Sequence, residues 1–414
     1  MSDWFYRDWN INTQIDYDEL INDVRHTESF NPFCNSKDTY EIFKNIVLSL
    51  LYGKKIILLD SDFSKDEQTV LIGSINLNTQ HEFLNKNILP IFNSKEEFIN
   101  LLRNTSKNWS ITLFTSGTTG VPKKVTHTLH SIIRFVKINE KTATNIWGFA
   151  YNPTHMAGIQ VFFQALFNGN TIVRLFGLSK DVIFQSIENS KITNISATPT
   201  FYRLLLPVDK IYKSITRITS GGEKFDKKTI NQLMHVFPNA KTTNVYASTE
   251  AGTLFASDGD YFHIKPEIFH LIKIQDNELL IHRSLMGVSE MTDREWYPTG
   301  DLIEIISENP IKFKFIARKN EMINVGGYKV NPNEVEEAIR NIPGISNARV
   351  YSKQNSVLGN IICCEVVKED IELTEAKIRA ILQFKIQEFK IPRMFRFVDQ
   401  IATTRSGKIK RNLK

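Results

Sequence analysis

The chain has 414 residues, 42% of them hydrophobic and 23% charged, and carries a formal net charge of +6. That length is more than one hydrophobic core ordinarily holds, so at least two domains and a large buried interior are expected. The composition is that of a soluble globular protein, and no apolar run is long enough to span a bilayer, which excludes a membrane-spanning role.

The opening octet, Met1 to Asp8, lacks the basic-then-apolar layout of a signal peptide, and Cys34, Cys363 and Cys364 are the only cysteines. A reduced, cytoplasmic setting is the expectation. Short apolar, β-branched runs follow at residues 55–59, 111–114, 171–176, 192–197, 215–219 and 242–246. Between them, helical apolar periodicity predicts helices over 128–140, 156–167, 179–189 and 226–237. Strands alternating with helices imply an α/β core of layered, mostly parallel sheet.

After Tyr297 the rhythm changes. Asn331 as N-cap, Pro332 at the first helical position and Glu334 at the third mark a helix start. Strands are predicted at 348–352, 360–367 and 394–398, with a helix over 374–386 capped by Thr374. Cys363 and Cys364 fall in the second of these strands and read as small buried hydrophobes rather than metal ligands. The expected division is a core of 1–317 and a small α+β domain of 318–414. Residues 318–414 hold 18 Lys plus Arg against 11 Asp plus Glu, so the basic excess of the chain is concentrated there. No helix-turn-helix, zinc-finger or RNP pattern accompanies it, which points away from nucleic acid and towards a phosphorylated cofactor.

The chemistry is carried by a series of motifs. Directly after the apolar run 111–114 come Thr115, Ser116, Gly117, Thr118, Thr119 and Gly120, with Lys124 shortly beyond. Glycines let backbone N–H groups converge on phosphate oxygens, hydroxyls add donors and a lysine adds counter-charge. The spacing is not that of a Walker loop, since no Gly-Lys-Ser or Gly-Lys-Thr is present. Ser220-Gly221-Gly222-Glu223, Tyr246-Ala247-Ser248-Thr249-Glu250, the turn ending at Asp301, and Lys408 in a glycine-containing basic tail follow in order. Taken singly, each has a plainer reading: a surface turn, a helix cap, a solvated lysine.

Together with Asn152-Pro153-Thr154-His155, with Ala317-Arg318-Lys319-Asn320 and with Gly326-Gly327-Tyr328, these motifs resemble the adenylate-forming superfamily of acyl-CoA synthetases, nonribosomal-peptide adenylation domains and luciferase-like enzymes. The resemblance covers roughly residues 110–414. It implies a large N-terminal core, a small mobile C-terminal lid, and activation of a carboxylic acid as its acyl-adenylate with release of pyrophosphate. Cofactors would be ATP, Mg²⁺ and CoA, or the phosphopantetheine of an acyl carrier protein in place of CoA. By this resemblance Thr115–Gly120 and Lys124 hold the β and γ phosphates, Thr249 reaches the α-phosphate and Glu250 is the metal ligand. Asp301 and Arg318 grip the ribose, Gly221, Gly222 and Glu223 lie along the adenine, and Tyr246 stacks on it beside Ala247 and Ser248. Lys408 swings in to the reacting centre, His155 guards the acid pocket, and Gly326 and Gly327 leave room for a pantetheine arm.

Three departures stand out. Ala247 replaces a more usual glycine and should narrow the acid pocket towards a small or planar acid. Asn320 occupies the hinge position where Asp or Lys is usual. The phosphate loop begins earlier than in most relatives, so a reduced front end is expected, and this compact form resembles o-succinylbenzoate-CoA ligases and related aryl-acid ligases. An amine or hydroxyl acceptor, a homodimer, and a catalytically silent nucleotide-binding scaffold stay open at this stage.

Overall fold

Alternating apolar strands and amphipathic helices build the core as expected, and a computed structural model describes residues 3–73, 81–86, 92–104, 108–115, 123–223, 225–259, 261–289, 293–325, 328–355, 359–404 and 407–410. The main sheet has thirteen strands. Its first half is parallel: Trp4–Asp8, Thr171–Arg174, Ile146–Phe149, Asn194–Ala197, Arg217–Gly221 and Lys241–Ser248 lie side by side in that order. Helices Met156–Leu166, Lys180–Ser190 and Lys227–Val236 form the crossovers. Strand Asn194–Ala197 is buried at every position, on both faces, as a helix-covered parallel sheet requires.

The second half of this sheet extends the parallel core with antiparallel strands. Gly252–Asp258, Tyr261–His263, Ile311–Arg318, Trp296–Glu308, Glu278–His282 and Ile272–Gln275 pair antiparallel. Among the described residues no α-helix separates them in sequence, and antiparallel pairing is what helix-free connections permit. A separate four-stranded sheet joins Phe33–Cys34, Ile56–Leu58, Ser110–Thr115 and Lys123–Thr128. A hairpin, Trp4–Asp8 with Thr13–Asp16, adds to the edge of the main sheet.

The helix predicted over 128–140 is also shorter than expected, running only from Leu129 to Ile133. Tertiary hydrogen bonds explain this: the Lys137 N–H donates to Gln164 Oε1, and its carbonyl accepts from the side chains of Gln164 and Asn168. A backbone pinned by a neighbouring helix is withdrawn from i to i+4 pairing.

Residues beyond 322 have their own apolar core, including Ile323, Val335, Ile339, Val350 and Ile378. A three-stranded sheet of Ile345–Asn355, Gly359–Lys368 and Met394–Phe397 carries helices Pro332–Arg340 and Glu375–Gln383. Asn331 caps the first by accepting from the Asn333 N–H, and Thr374 caps the second. Cys363 and Cys364 are buried and free. Among the described residues no helix is long and apolar enough to cross a membrane.

Candidate active site

The site forms where the C-terminal ends of parallel strands meet the tail of the small domain. Strand Arg217–Gly221 runs out into Gly222, whose φ of +86° is the left-handed region that favours glycine. Into the space left by that missing side chain comes Lys408. A Cβ on Gly222 would lie 2.7 Å from Lys408 Cε and 3.4 Å from its Nζ. Burial pulls the Lys408 ammonium below the ordinary lysine value; Glu223 opposes that pull, Arg318 adds to it, and Glu321 and Glu250 oppose it more weakly. One ammonium is therefore held within the field of Glu223, Glu250 and Arg318, which lie on three different core segments.

The tail is fastened on both sides. Thr198 Oγ1 donates to the Gly407 carbonyl at 3.0 Å, and the Ile409 N–H donates to Glu223 Oε1 at 2.8 Å. From the small domain, the buried Arg349 pairs with Glu365 at 2.7 Å and donates through Nη1 to the Lys410 carbonyl at 2.7 Å. Glu223 thus has a duty the sequence reading did not assign. Besides Ile409 it accepts from Thr200 Oγ1 at 2.6 Å and Arg203 Nη2 at 3.3 Å, so it anchors the tail.

Across the cleft, Asp301 and Arg318 face each other as register partners on adjacent strands. Arg318 Nε donates to Asp301 Oδ1 at 3.1 Å, and the Tyr246 hydroxyl donates to Oδ2 at 2.6 Å. The Tyr246 ring is stacked on Phe315 with centroids 4.4 Å apart and lies 5.6 Å from Phe255. Two aromatic neighbours thus fix the ring while its hydroxyl supports Asp301. A register shift between Tyr246 and Ala247 bends the strand beside the site. Tyr246, Ser248, Glu250, Ala251, Tyr297, Thr299 and Arg318 line one pocket. Ser248 holds the turn by accepting from the Ala251 N–H.

His155 sits at the head of helix Met156–Leu166 but makes no capping bond. Its Nε2 instead lies 2.8 Å from Asp60 Oδ2. Asp60 is only 5% exposed and also accepts from Asn152 Nδ2 and Thr154 Oγ1. Burial pushes the Asp60 carboxyl up, but the bonds from His155, Thr154 and Asn152 outweigh this and hold it below its usual value. Asp60 was missed in the sequence, although a carboxylate directly after a strand is a recurrent site position.

Ser116, Gly117, Thr118, Thr119, Gly120, Gly326 and Gly327 lie outside the described residues. Thr115 ends strand Ser110–Thr115, and Lys124 stands exposed on strand Lys123–Thr128. Asn320 lies exposed in the turn between the Arg318 strand and the small domain. Among the described residues no three His, Cys, Asp or Glu side chains converge as a metal cage. The half-buried Glu250 in the same pocket as Arg318 fits Mg²⁺, which binds through one or two carboxylates together with substrate phosphates and water.

Residues 53–270 match the model of the AMP-binding enzyme family, and 334–408 match that of the AMP-binding enzyme C-terminal domain. A 2-succinylbenzoate–CoA ligase of Staphylococcus aureus is 25% identical over 97% of this chain and 84% of its own length. Among solved structures, o-succinylbenzoate CoA synthetase from Bacillus subtilis, bound to its acyl-adenylate intermediate, superposes with a TM-score of 0.69 at 17% identity, covering 99% of this chain and 94% of that one. ATP-bound MatB from Rhodopseudomonas palustris gives a TM-score of 0.71 at 16% identity, covering 98% and 94%.

Proposed function

We propose, from the premise that this chain belongs to the AMP-binding enzyme family, that it is an AMP-forming acid–thiol ligase. It activates a small carboxylic acid with ATP, releases pyrophosphate and passes the acyl group to a thiol, with CoA as the acceptor and a carrier-protein phosphopantetheine as the second choice. The relatives act on succinylbenzoate by name, which makes an aryl dicarboxylic acid the first candidate substrate. Lys408 lodged against Gly222 is the observation that carries this reading.

A carboxylate and a triphosphate repel each other, so attack of a carboxylate oxygen on the α-phosphorus needs cationic charge at the point where both meet. Lys408 supplies a desolvated ammonium there, and its tail is locked by Thr198, Glu223 and Arg349 before substrate arrives. Asp301 offers an acceptor-only carboxylate to adjacent ribose hydroxyls, steadied by Arg318 and Tyr246. Glu250 is the residue that would hold a magnesium ion, whose chemistry is to neutralise phosphate charge. His155, tethered to Asp60, borders the space where the acid carboxylate would enter. Release of the tail from Glu223 and Thr198 frees the same cleft for a thiol.

Pyrophosphate release measured with succinylbenzoate, other aryl acids and short acyl acids tests the function. Acid-dependent release followed by CoA consumption is expected. AMP binding by calorimetry without release for any acid would overturn it in favour of a silent nucleotide-binding scaffold. Acid-dependent release trapped by hydroxylamine without CoA use would move the acceptor to an amine or hydroxyl.

A further inference from the structure

Behind the Thr249–Glu250 turn lies a histidine that the reaction as described does not use. His127 is 1% exposed on strand Lys123–Thr128, the strand that leaves the glycine-rich segment 116–122. Its Nε2 is 2.8 Å from the Thr249 carbonyl oxygen. A carbonyl only accepts, so Nε2 carries the proton, and Nδ1 lies 3.2 Å from Ser131 Oγ. Burial pushes the imidazole down to about 4, against the Thr249 bond and with the help of Arg134, so the ring is neutral at ordinary pH.

The same turn is pinned again one residue later. The Gly287 N–H donates to the Glu250 carbonyl at 2.7 Å, and Thr126 and Val288 exchange two backbone bonds at 2.9 and 2.8 Å. Arg134 Nη1 adds a bond to the Leu285 carbonyl at 3.1 Å. Gly287 has no room for a side chain, because a Cβ there would lie 2.5 Å from His127 Cε1 and 2.7 Å from Nε2. Three chain segments, 123–128, 249–250 and 285–288, are therefore stitched around one buried imidazole. Both carbonyls of the Thr249–Glu250 turn are tied from behind.

We propose that His127 is a positioning residue of the ligase, holding the Thr249–Glu250 turn against strand Lys123–Thr128 through its Nε2–H bond to the Thr249 carbonyl. This rests on the ligase reading for the roles of Thr249 and Glu250, but the bond itself does not. Removing the donor takes this partner from the Thr249 carbonyl and lets the turn drift, and a displacement of about 1 Å at a reacting site costs about 100-fold in rate.

The test compares His127→Leu, which fills the space without a donor, with His127→Gln, whose side-chain amide can donate to the same carbonyl. Pyrophosphate release should show kcat roughly 10–100-fold lower for the leucine variant with KM for the acid little changed, and recovery to within about 5-fold of wild type for glutamine. Calorimetry with ATP and Mg²⁺ should show about tenfold weaker binding for leucine and recovery for glutamine. Should the leucine variant not fold, Gly287→Ala carries the same test, because it keeps the imidazole but displaces it, and the same losses are expected. A folded leucine or Gly287→Ala variant with wild-type kcat and ATP·Mg²⁺ affinity would overturn the proposal, as would leucine and glutamine variants impaired alike. If wild type turns over no acid at all, the ligase reading fails while the calorimetric comparison still decides the role of His127.

Discussion

Lys408 shows how a residue's meaning changes with what faces it. In the sequence it is one lysine in a basic tail, whereas in the structure its Cε occupies the volume that a Cβ on Gly222 would fill. Lys408→Ala should lower the adenylation rate roughly 100–1,000-fold while AMP binding by calorimetry persists, because the ammonium acts on charge that develops in the transition state. Asp60 offers a second check at this scale. Its carboxyl lies below the usual value in the folded chain, so its ionised form contributes stability that is present above the ordinary carboxylate range and is lost as pH falls through the folded-state value. Asp60→Asn should therefore cost about 1–3 kcal/mol near neutral pH in denaturant melts. The gap to wild type should shrink as pH is lowered below about 4. A gap that stays constant with pH would show that the charge on Asp60 contributes nothing.

At the level of elements, the helix Met156–Leu166 explains why His155 meets Asp60. The Asn152 carbonyl approaches Gly158 so closely that a Cβ there would be 2.3 Å from it. That contact folds the 152–155 segment over the helix start and aims the imidazole at the strand end bearing Asp60. Gly158→Ala should overpack this junction, lowering stability by about 1–3 kcal/mol and loosening the Asp60–His155 pair. The expected readout is a lower melting temperature together with a weakened kcat. A variant with wild-type melting and rate would show that the segment yields without cost. Gly222 differs in kind, since its φ and its contact with Lys408 both restrict it to glycine.

At the scale of the whole molecule, the small domain is held against the core by contacts that belong to the pose with the lysine inserted. Lys228, on the core helix Lys227–Val236, donates to the carbonyls of Arg340 and Ile345 at 2.7 and 2.9 Å. Those carbonyls mark the end of the small domain's first helix and the start of its sheet, where a cation complements the helix dipole. Arg203, Glu223 and Asp226 form a linked set of ion pairs beside this contact. Lys228→Ala removes two charge-assisted bonds of about 1.5–3 kcal/mol each in gross terms, part of which water restores. Adenylation should fall about tenfold, whereas thioester formation from supplied acyl-adenylate should change less than about threefold. Equal loss in both half-reactions would show that Lys228 acts on general stability and not on this docked pose.

By itself the sequence determined the α/β class and the capped helices of the small domain, and it singled out Gly222, Glu250, Asp301 and Lys408 as candidate site residues. Those features depend on local signals: apolar period, cap residues, glycines at turns, and motifs whose residue types follow from phosphate and carboxylate chemistry. Only the tertiary structure decided that Glu223 binds the tail, that Tyr246 backs Asp301, that the second half of the sheet is antiparallel, and that Asp60 and His127 stand behind the site. The physical reason is that each of these depends on a partner distant in sequence. A carboxylate or an imidazole looks the same whichever carbonyl, ammonium or ring the fold brings against it, and its role is set by that neighbour.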